Sequence, residues 1–329
     1  MIHTRLTERI GLTHPIVQAP MAFAAGGRLA AAVSSAGGLG LIGGGYGDAE
    51  WLDAQFAAAG DVPVGCGFIT WALAERPALL DAVLAREPQA ICLSFGDPAP
   101  FARRILDAGV LLIVQVQTLR DAQRAIDAGA DLVVAQGSEA GGHGERRATM
   151  TLLPEVADLI ARTSPDTLLC AAGGIADGRG LAASLMLGAD GVLVGSRLWA
   201  SEEAIVPEPM LSAACDADGD ATLRTDVLDV VRQRDWPGRY TARVLANEFT
   251  DRWHGDADGL RAAGEPARDA WAAAWAAGDA AGSATFVGEA TGLIDRVAPV
   301  AELLEDMVAT ALDRLERPWR GPRPGSAAR

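Results

Sequence analysis

The chain has 329 residues, half of them hydrophobic, with a net charge of −15 and no lysine among its 28 basic residues. The composition is globular, no apolar run approaches the roughly 18 residues a membrane helix needs, and the acidic balance argues against a nucleic-acid partner. The missing lysine excludes Schiff-base chemistry, the lysine-linked pyridoxal mechanism and a Walker-type phosphate loop. The opening Met1–Glu8 lacks the basic-then-apolar pattern of a leader, so a cytoplasmic location is the expectation.

In chain order, the first two-thirds repeats one pattern: a short apolar run, a Gly-, Ser- or Asp-containing turn, then an Ala/Leu-rich stretch. The candidate strands are Pro15–Ala19, Gly38–Ile42, Val62–Gly67, Gln89–Ser94, Val110–Val116, Asp131–Gln136, Thr167–Ala172 and Gly191–Gly195. Helices are predicted between them, for example over Arg28–Ala36, Pro77–Arg86, Pro98–Ala108 and Leu119–Ala128. Strand–helix alternation implies a parallel sheet. Eight strands in this length fit an α/β fold closed as a (β/α)8 TIM barrel. A doubly wound open sheet is the alternative, but the turn after the first strand lacks the dinucleotide GxGxxG spacing.

From about Pro207 to Ser283 the strand signal fades, and Arg224–Trp236, Arg239–Trp253 and Ala267–Ala277 read as helical. The expected organisation is a barrel over 1–205 and 285–318, a small helical insertion after the eighth strand over 206–284 that covers the barrel mouth, and a flexible tail over 319–329. Trp271 and Trp275 share one helix face and read as packing residues. The stretch Val297–Glu316 carries Val300, Leu303, Leu304, Met307, Val308 and Ala311 at helical spacing and is expected as the eighth helix.

Reacting groups of such a barrel come from strand C-termini and the loops that follow. The first strand delivers Gln18, Ala19, Pro20 and Met21; the proline stiffens the loop and the methionine is placed to cover a ring face, though both also read as packing. Cys66 and Gly67 end the third strand. A nucleophilic Cys66 would need an activating base that the sequence does not show, and Cys66, Cys92, Cys170 and Cys215 are read as reduced core residues. The sixth strand ends at Gln136 and runs into a loop where Gly137, Gly141, Gly142 and Gly144 surround His143. That histidine is either a general base or a structural loop residue. Gly173 and Gly174 after the seventh strand, and Leu193, Val194, Gly195 and Ser196 at the eighth, let a phosphate approach backbone N–H groups. Glu139 and Asp177 are acidic candidates at the mouth. No His/Asp/Glu cluster has ligand spacing, so no metal is expected.

Taken together, Pro15–Met21, Ala36–Gly45, Leu93–Pro98, Gln136–His143 and Ala172–Gly178 resemble the nitronate monooxygenase (2-nitropropane dioxygenase) family over essentially the whole chain. The insertion, with Trp236-Pro237, Arg239-Tyr240 and Arg243 to Asn247, is similar to the branch found in fungi and some bacteria. The resemblance implies non-covalent FMN, contacted by Gln136, Gly141, Gly174 and Leu193–Ser196. It implies that His143 takes the α-proton of a nitroalkane or orients an ionised nitronate. Electrons would pass to O2, giving a carbonyl compound and nitrite. The expected partners are thus a small-molecule substrate and O2, with a homodimer as the assembly considered.

Two features depart from the family pattern. Gly67 stands where many bacterial members have asparagine, and tyrosines are scarce, with only Tyr46 and Tyr240 present. The histidine loop and the Ala-Gly-Gly-Ile motif also resemble flavin-dependent enoyl-acyl-carrier-protein reductases, and NADH:quinone reductases of similar fold lie near. Those enzymes take hydride from NAD(P)H. Gln18–Met21 favours the monooxygenase, because the reductases more often have glycines after that glutamine.

Overall fold

Side-chain alternation decides which way each strand faces. In Ala90–Ser94, Ala90 and Cys92 join one buried cluster while Ile91 and Leu93 join another; in Leu132–Gln136, Leu132 and Val134 separate from Val133 and Ala135 in the same way. The period of two sends one set into a barrel interior and the other beneath surrounding helices. The computed structural model describes residues 1–317, so the expected tail from 319 onward lies outside the described residues. Eight parallel strands form the barrel: β1 (Ile16–Gln18), β2 (Leu41–Gly45), β3 (Gly65–Ile69), β4 (Ala90–Ser94), β5 (Leu111–Val116), β6 (Leu132–Gln136), β8 (Leu168–Ala172) and β9 (Gly191–Val194). Their order is β1-β9-β8-β6-β5-β4-β3-β2. The two ends meet in a parallel bridge between Val17 and Leu39, where Gln18 N–H donates to Leu39 O at 2.9 Å and Leu39 N–H to Ile16 O at 3.0 Å.

The eight expected barrel strands all form, with ends displaced by a few residues. The second begins at Leu41 rather than Gly38, because the backbone at Gly40 lies against the preceding helix: a Cβ there would meet Ala30 O at 1.9 Å. The final helix, Val300–Glu316, packs against Gly178–Met186 and Gly27–Ser35 and completes the outer ring. Gly178 permits this approach, since a Cβ would meet Met307 O at 2.2 Å.

The insertion is not purely helical. β10 (Thr222–Thr225) and β11 (Thr241–Leu245) pair antiparallel, and β11 pairs in turn with β7 (Gly142–Gly144), the segment that carries His143. The stretch expected as one helix over Arg239–Trp253 is therefore a strand, then the helix Glu248–Trp253 capped by the Asn247 side chain. Along β11, Ala242 and Val244 are buried while Thr241 and Arg243 are half-buried, a period of two that overrides helix propensity. Ala257–Ala276 is helical but breaks at Gly264 (φ 64°). No helix of the described residues is long and apolar enough to cross a membrane.

Candidate active site

A cavity of about 390 Å³ opens at the C-terminal ends of the barrel strands, beneath the insertion. Of the residues singled out from sequence, Ala19, Pro20, Met21, Gly67, Gln136, Gly141, Gly142, His143, Gly173, Gly174, Leu193, Gly195 and Ser196 line it. Gln18 and Val194 do not, and both are fully buried. The Gln18 amide ties β1 to β2 instead: Oε1 accepts from Leu41 N–H at 3.1 Å and Nε2 donates to Ala19 O. Val194 points outward into the strand–helix layer. Gly67 answers to packing, because a Cβ there would meet Pro20 Cβ and Cγ at 2.3 Å. Asp177 caps the helix Gly178–Met186 and pairs with Arg179. Glu139 lines the cavity with its carboxylate occupied by Thr149, accepting from N–H at 3.0 Å and from Oγ1 at 2.9 Å. Burial pushes the Cys66 thiol far up and that of Cys92 to about 12, which leaves both protonated and inert.

His143 is held by groups from both the barrel and the insertion. Its carbonyl accepts from Gln136 Nε2 at 3.2 Å, and Gln136 Oε1 accepts from Gln117 Nε2 at 2.8 Å. The ring Nε2 lies 2.9 and 3.0 Å from the two carboxylate oxygens of Asp229. Asp229, on the short helix Val227–Val231, is itself only 7% exposed. A neutral imidazole in this pair donates Nε2–H to the carboxylate, which leaves the Nδ1 lone pair as acceptor. No hydrogen bond among the described residues takes up Nδ1. Burial pushes the imidazole below the ordinary histidine value; Asp229 opposes that shift, while Arg232 and Arg224 add to it. The lowered value favours the neutral imidazole.

Aromatic side chains make the wall around this ring. Trp236 stacks face to face on His143, centroids 3.4 Å apart and planes 4° apart. Phe95 meets His143, Trp236 and Tyr240 edge-on. Phe23 (φ 66°) and Phe95 (φ 64°) both stand in the left-handed region, a strained conformation for aromatic residues, and both line the cavity. Arg232 also lines the cavity, with its guanidinium near the Phe23, Tyr46 and Phe286 rings and no carboxylate in ion-pair contact among the described residues. Trp275 reaches the wall as well, while Trp271 stacks behind it at 5.5 Å.

The residues at the other end suit a phosphate. No backbone carbonyl among the described residues accepts from the N–H groups of Gly173, Gly174, Gly195 or Ser196. Gly173 (φ 99°) and Gly174 (φ 75°) need the left-handed region that turns the chain there. Ser196 Oγ accepts from Gly288 N–H at 2.9 Å, and its own proton remains free to donate. Two loops thus aim unpaired donors at one end of a cavity whose middle is apolar, a donor set that fits a monophosphate carrying a flat ring. The described residues contain no cluster able to hold a metal.

Asp229 and Trp236 were not identified as site residues from sequence. A lone aspartate inside the apolar run Val227–Val231 was the available signal, since a buried carboxylate needs a partner.

Comparison with known proteins gives one family. The nitronate monooxygenase family matches residues 3–65 and 72–310. A Neurospora crassa nitronate monooxygenase is 31% identical over 92% of this chain and 90% of its own. A Mycobacterium tuberculosis (3aS,4S,5R,7aS)-5-hydroxy-7a-methyl-1-oxo-octahydro-1H-indene-4-carboxyl-CoA dehydrogenase is 33% identical over 80% of this chain and 74% of its own. Among solved structures, FabK from Thermotoga maritima superposes with a TM-score of 0.84 at 30% identity, covering 96% of this chain and 98% of that one. Nitroalkane oxidase from Streptomyces ansochromogenes does so with a TM-score of 0.78 at 28% identity, covering 94% and 98%.

Proposed function

The chain belongs to the nitronate monooxygenase family, and from that premise we propose that it is an FMN-dependent enzyme oxidising alkyl nitronates and nitroalkanes with O2. The observation that carries this reading is the buried His143–Asp229 pair, which leaves Nδ1 as a proton acceptor on a cavity of substrate size. The unpartnered Arg232 beside it suits the negative charge of a nitronate.

FMN would be held at its phosphate by the N–H groups of Gly173, Gly174, Gly195 and Ser196, and at its ring by Ala19–Met21, Gln136, Gly141 and Gly142. When bound, it supplies the electron acceptor for the nitronate and the route from substrate to O2. The chain's own residues do the rest. His143 Nδ1 removes the α-proton of a neutral nitroalkane, the C–H pair staying on the substrate as the nitronate. Asp229 keeps Nε2–H in place and stabilises the imidazolium that forms. Phe95, Trp236 and Trp275 keep water from the reacting carbon, and the Gln136–Gln117 bond fixes the backbone at His143.

Aerobic turnover of propyl-nitronate is expected to release propanal and nitrite with no nicotinamide added. Oxygen uptake without nitrite would contradict the reading.

A second reading is an NAD(P)H-dependent flavin reductase of an enoyl thioester or quinone; the carboxyl-CoA dehydrogenase among the relatives supports only its thioester substrate class. It requires fast flavin reduction by NADH or NADPH, which the first reading does not.

A further inference from the structure

We propose that Trp236 is a positioning residue for His143: its indole fixes the plane of the imidazole, so that Nδ1 stays aimed at the substrate carbon, and it shields the ring from water. The proposal rests on the base role assigned to His143.

The bond from Nε2 to both oxygens of Asp229 sets where the tip of the ring lies. Because Nε2 lies off the Cβ–Cγ axis, that bond also restricts rotation of the ring, but the torsion is broad in histidine and leaves the plane free to rock. A planar partner on the ring face removes that remaining freedom. Trp236 provides that partner at 3.4 Å with planes 4° apart. The indole is itself immobilised. Nε1–H donates to Tyr46 Oη at 3.0 Å, and its edges meet Trp71 at 5.5 Å, Phe95 at 5.1 Å and Tyr240 at 5.9 Å. Tyr46 and Phe95 follow barrel strands β2 and β4, whereas Trp236 belongs to the insertion. The two parts of the molecule therefore meet on the face of the base. A tryptophan with only a packing role needs neither the parallel overlap with an imidazole nor the anchored Nε1–H.

The charged groups around His143 are Asp229 from the helix Val227–Val231, Arg232 just beyond it and Arg224 on β10. Removing Trp236 leaves all three in place and admits water to the ring face. Burial is the largest influence lowering the His143 pKa, so hydration raises it. Loss of the cation–π contact with the imidazolium acts the other way.

The test compares flavin-loaded wild type, Trp236→Leu, Trp236→Phe and Tyr46→Phe. The readouts are pH profiles of kcat/KM on nitroethane and on its nitronate, and ¹⁵N-imidazole titration with the His143 signal assigned by its loss in His143→Gln. In Trp236→Leu, kcat/KM on nitroethane is expected to fall on the order of tenfold to a hundredfold, the scale of a small misalignment. The acid limb and the ring titration both move to higher pH, and the loss on nitroethane exceeds any loss on the nitronate. Trp236→Phe restores the stack and most of the rate. Tyr46→Phe, which frees only the Nε1–H, moves the profile the same way by less. A Trp236→Leu enzyme with wild-type limb and titration overturns the proposal; if that variant does not fold, wild-type behaviour of Tyr46→Phe does so. Failure of wild type to oxidise either substrate would refute the functional reading alone, because the ring titration still reports on the stack.

Discussion

His143→Ala is expected to lower kcat/KM on neutral nitroalkanes by about 10²–10⁴-fold, the usual worth of a positioned general base. Pre-formed nitronates, which have no α-proton to lose, keep most of their rate. The contrast follows from the site's geometry. Nδ1 is the acceptor left on a ring whose other nitrogen is tied to Asp229. Alanine also leaves the buried Asp229 carboxylate without its hydrogen-bond donor, which destabilises the fold by itself, by about 1–3 kcal/mol or more for a charged acceptor. His143→Gln, which returns an N–H to Asp229, separates the two effects. Steady-state nitrite release from nitroethane and from ethylnitronate is the check. Equal losses on both substrates would remove the base from the mechanism.

Asp229→Asn is expected to cost about 10²-fold or more on neutral nitroalkanes, because an orienting carboxylate both selects the tautomer and stabilises the imidazolium. The direction on the pH axis is definite. In the wild type the imidazole lies below the ordinary histidine value, so proton abstraction is available at neutral pH and is lost as pH falls through that lowered value. Asp229 raises the His143 pKa against the effect of burial. Without its charge the pKa drops further, so the acid limb moves to lower pH while the plateau falls, as expected of a weaker base. A pH profile of kcat/KM from acid to neutral reads both changes. A limb that moves to higher pH would mean that Asp229 does not act through His143.

The barrel was legible in the sequence because its signal is local. Each strand is a short apolar run with a turn behind it, and every expected strand appears within a few residues of its place. The placing of Gly173–Gly174 and Gly195–Ser196 on the cavity was legible for the same reason, because they follow their strands directly. The small sheet that joins the insertion to the histidine loop was not legible. β7 is Gly-His-Gly, without strand propensity, and becomes a strand only because β11, about a hundred residues later in the fold, pairs with it. The same distance hid Asp229 and Trp236, which reach His143 only once β10 and β11 have folded back over the mouth. Gln18 shows the opposite case. A polar side chain at a strand C-terminus invites a ligand role, but here Oε1 accepts from Leu41 N–H across the β1–β2 seam and Nε2 donates to the neighbouring Ala19 O. Gly67, flagged for lacking a side chain, is set by the close approach of Pro20.

The most direct measurement is anaerobic mixing of the FMN-loaded protein with propyl-nitronate, NADH and NADPH in separate experiments, followed by flavin absorbance. Loss or change of the oxidised flavin spectrum with the nitronate, and none of comparable speed with either nicotinamide, is the expected result. A flavin that bleaches rapidly with NADH or NADPH and stays unchanged with the nitronate would contradict nitronate oxidation and place the protein with the thioester reductases.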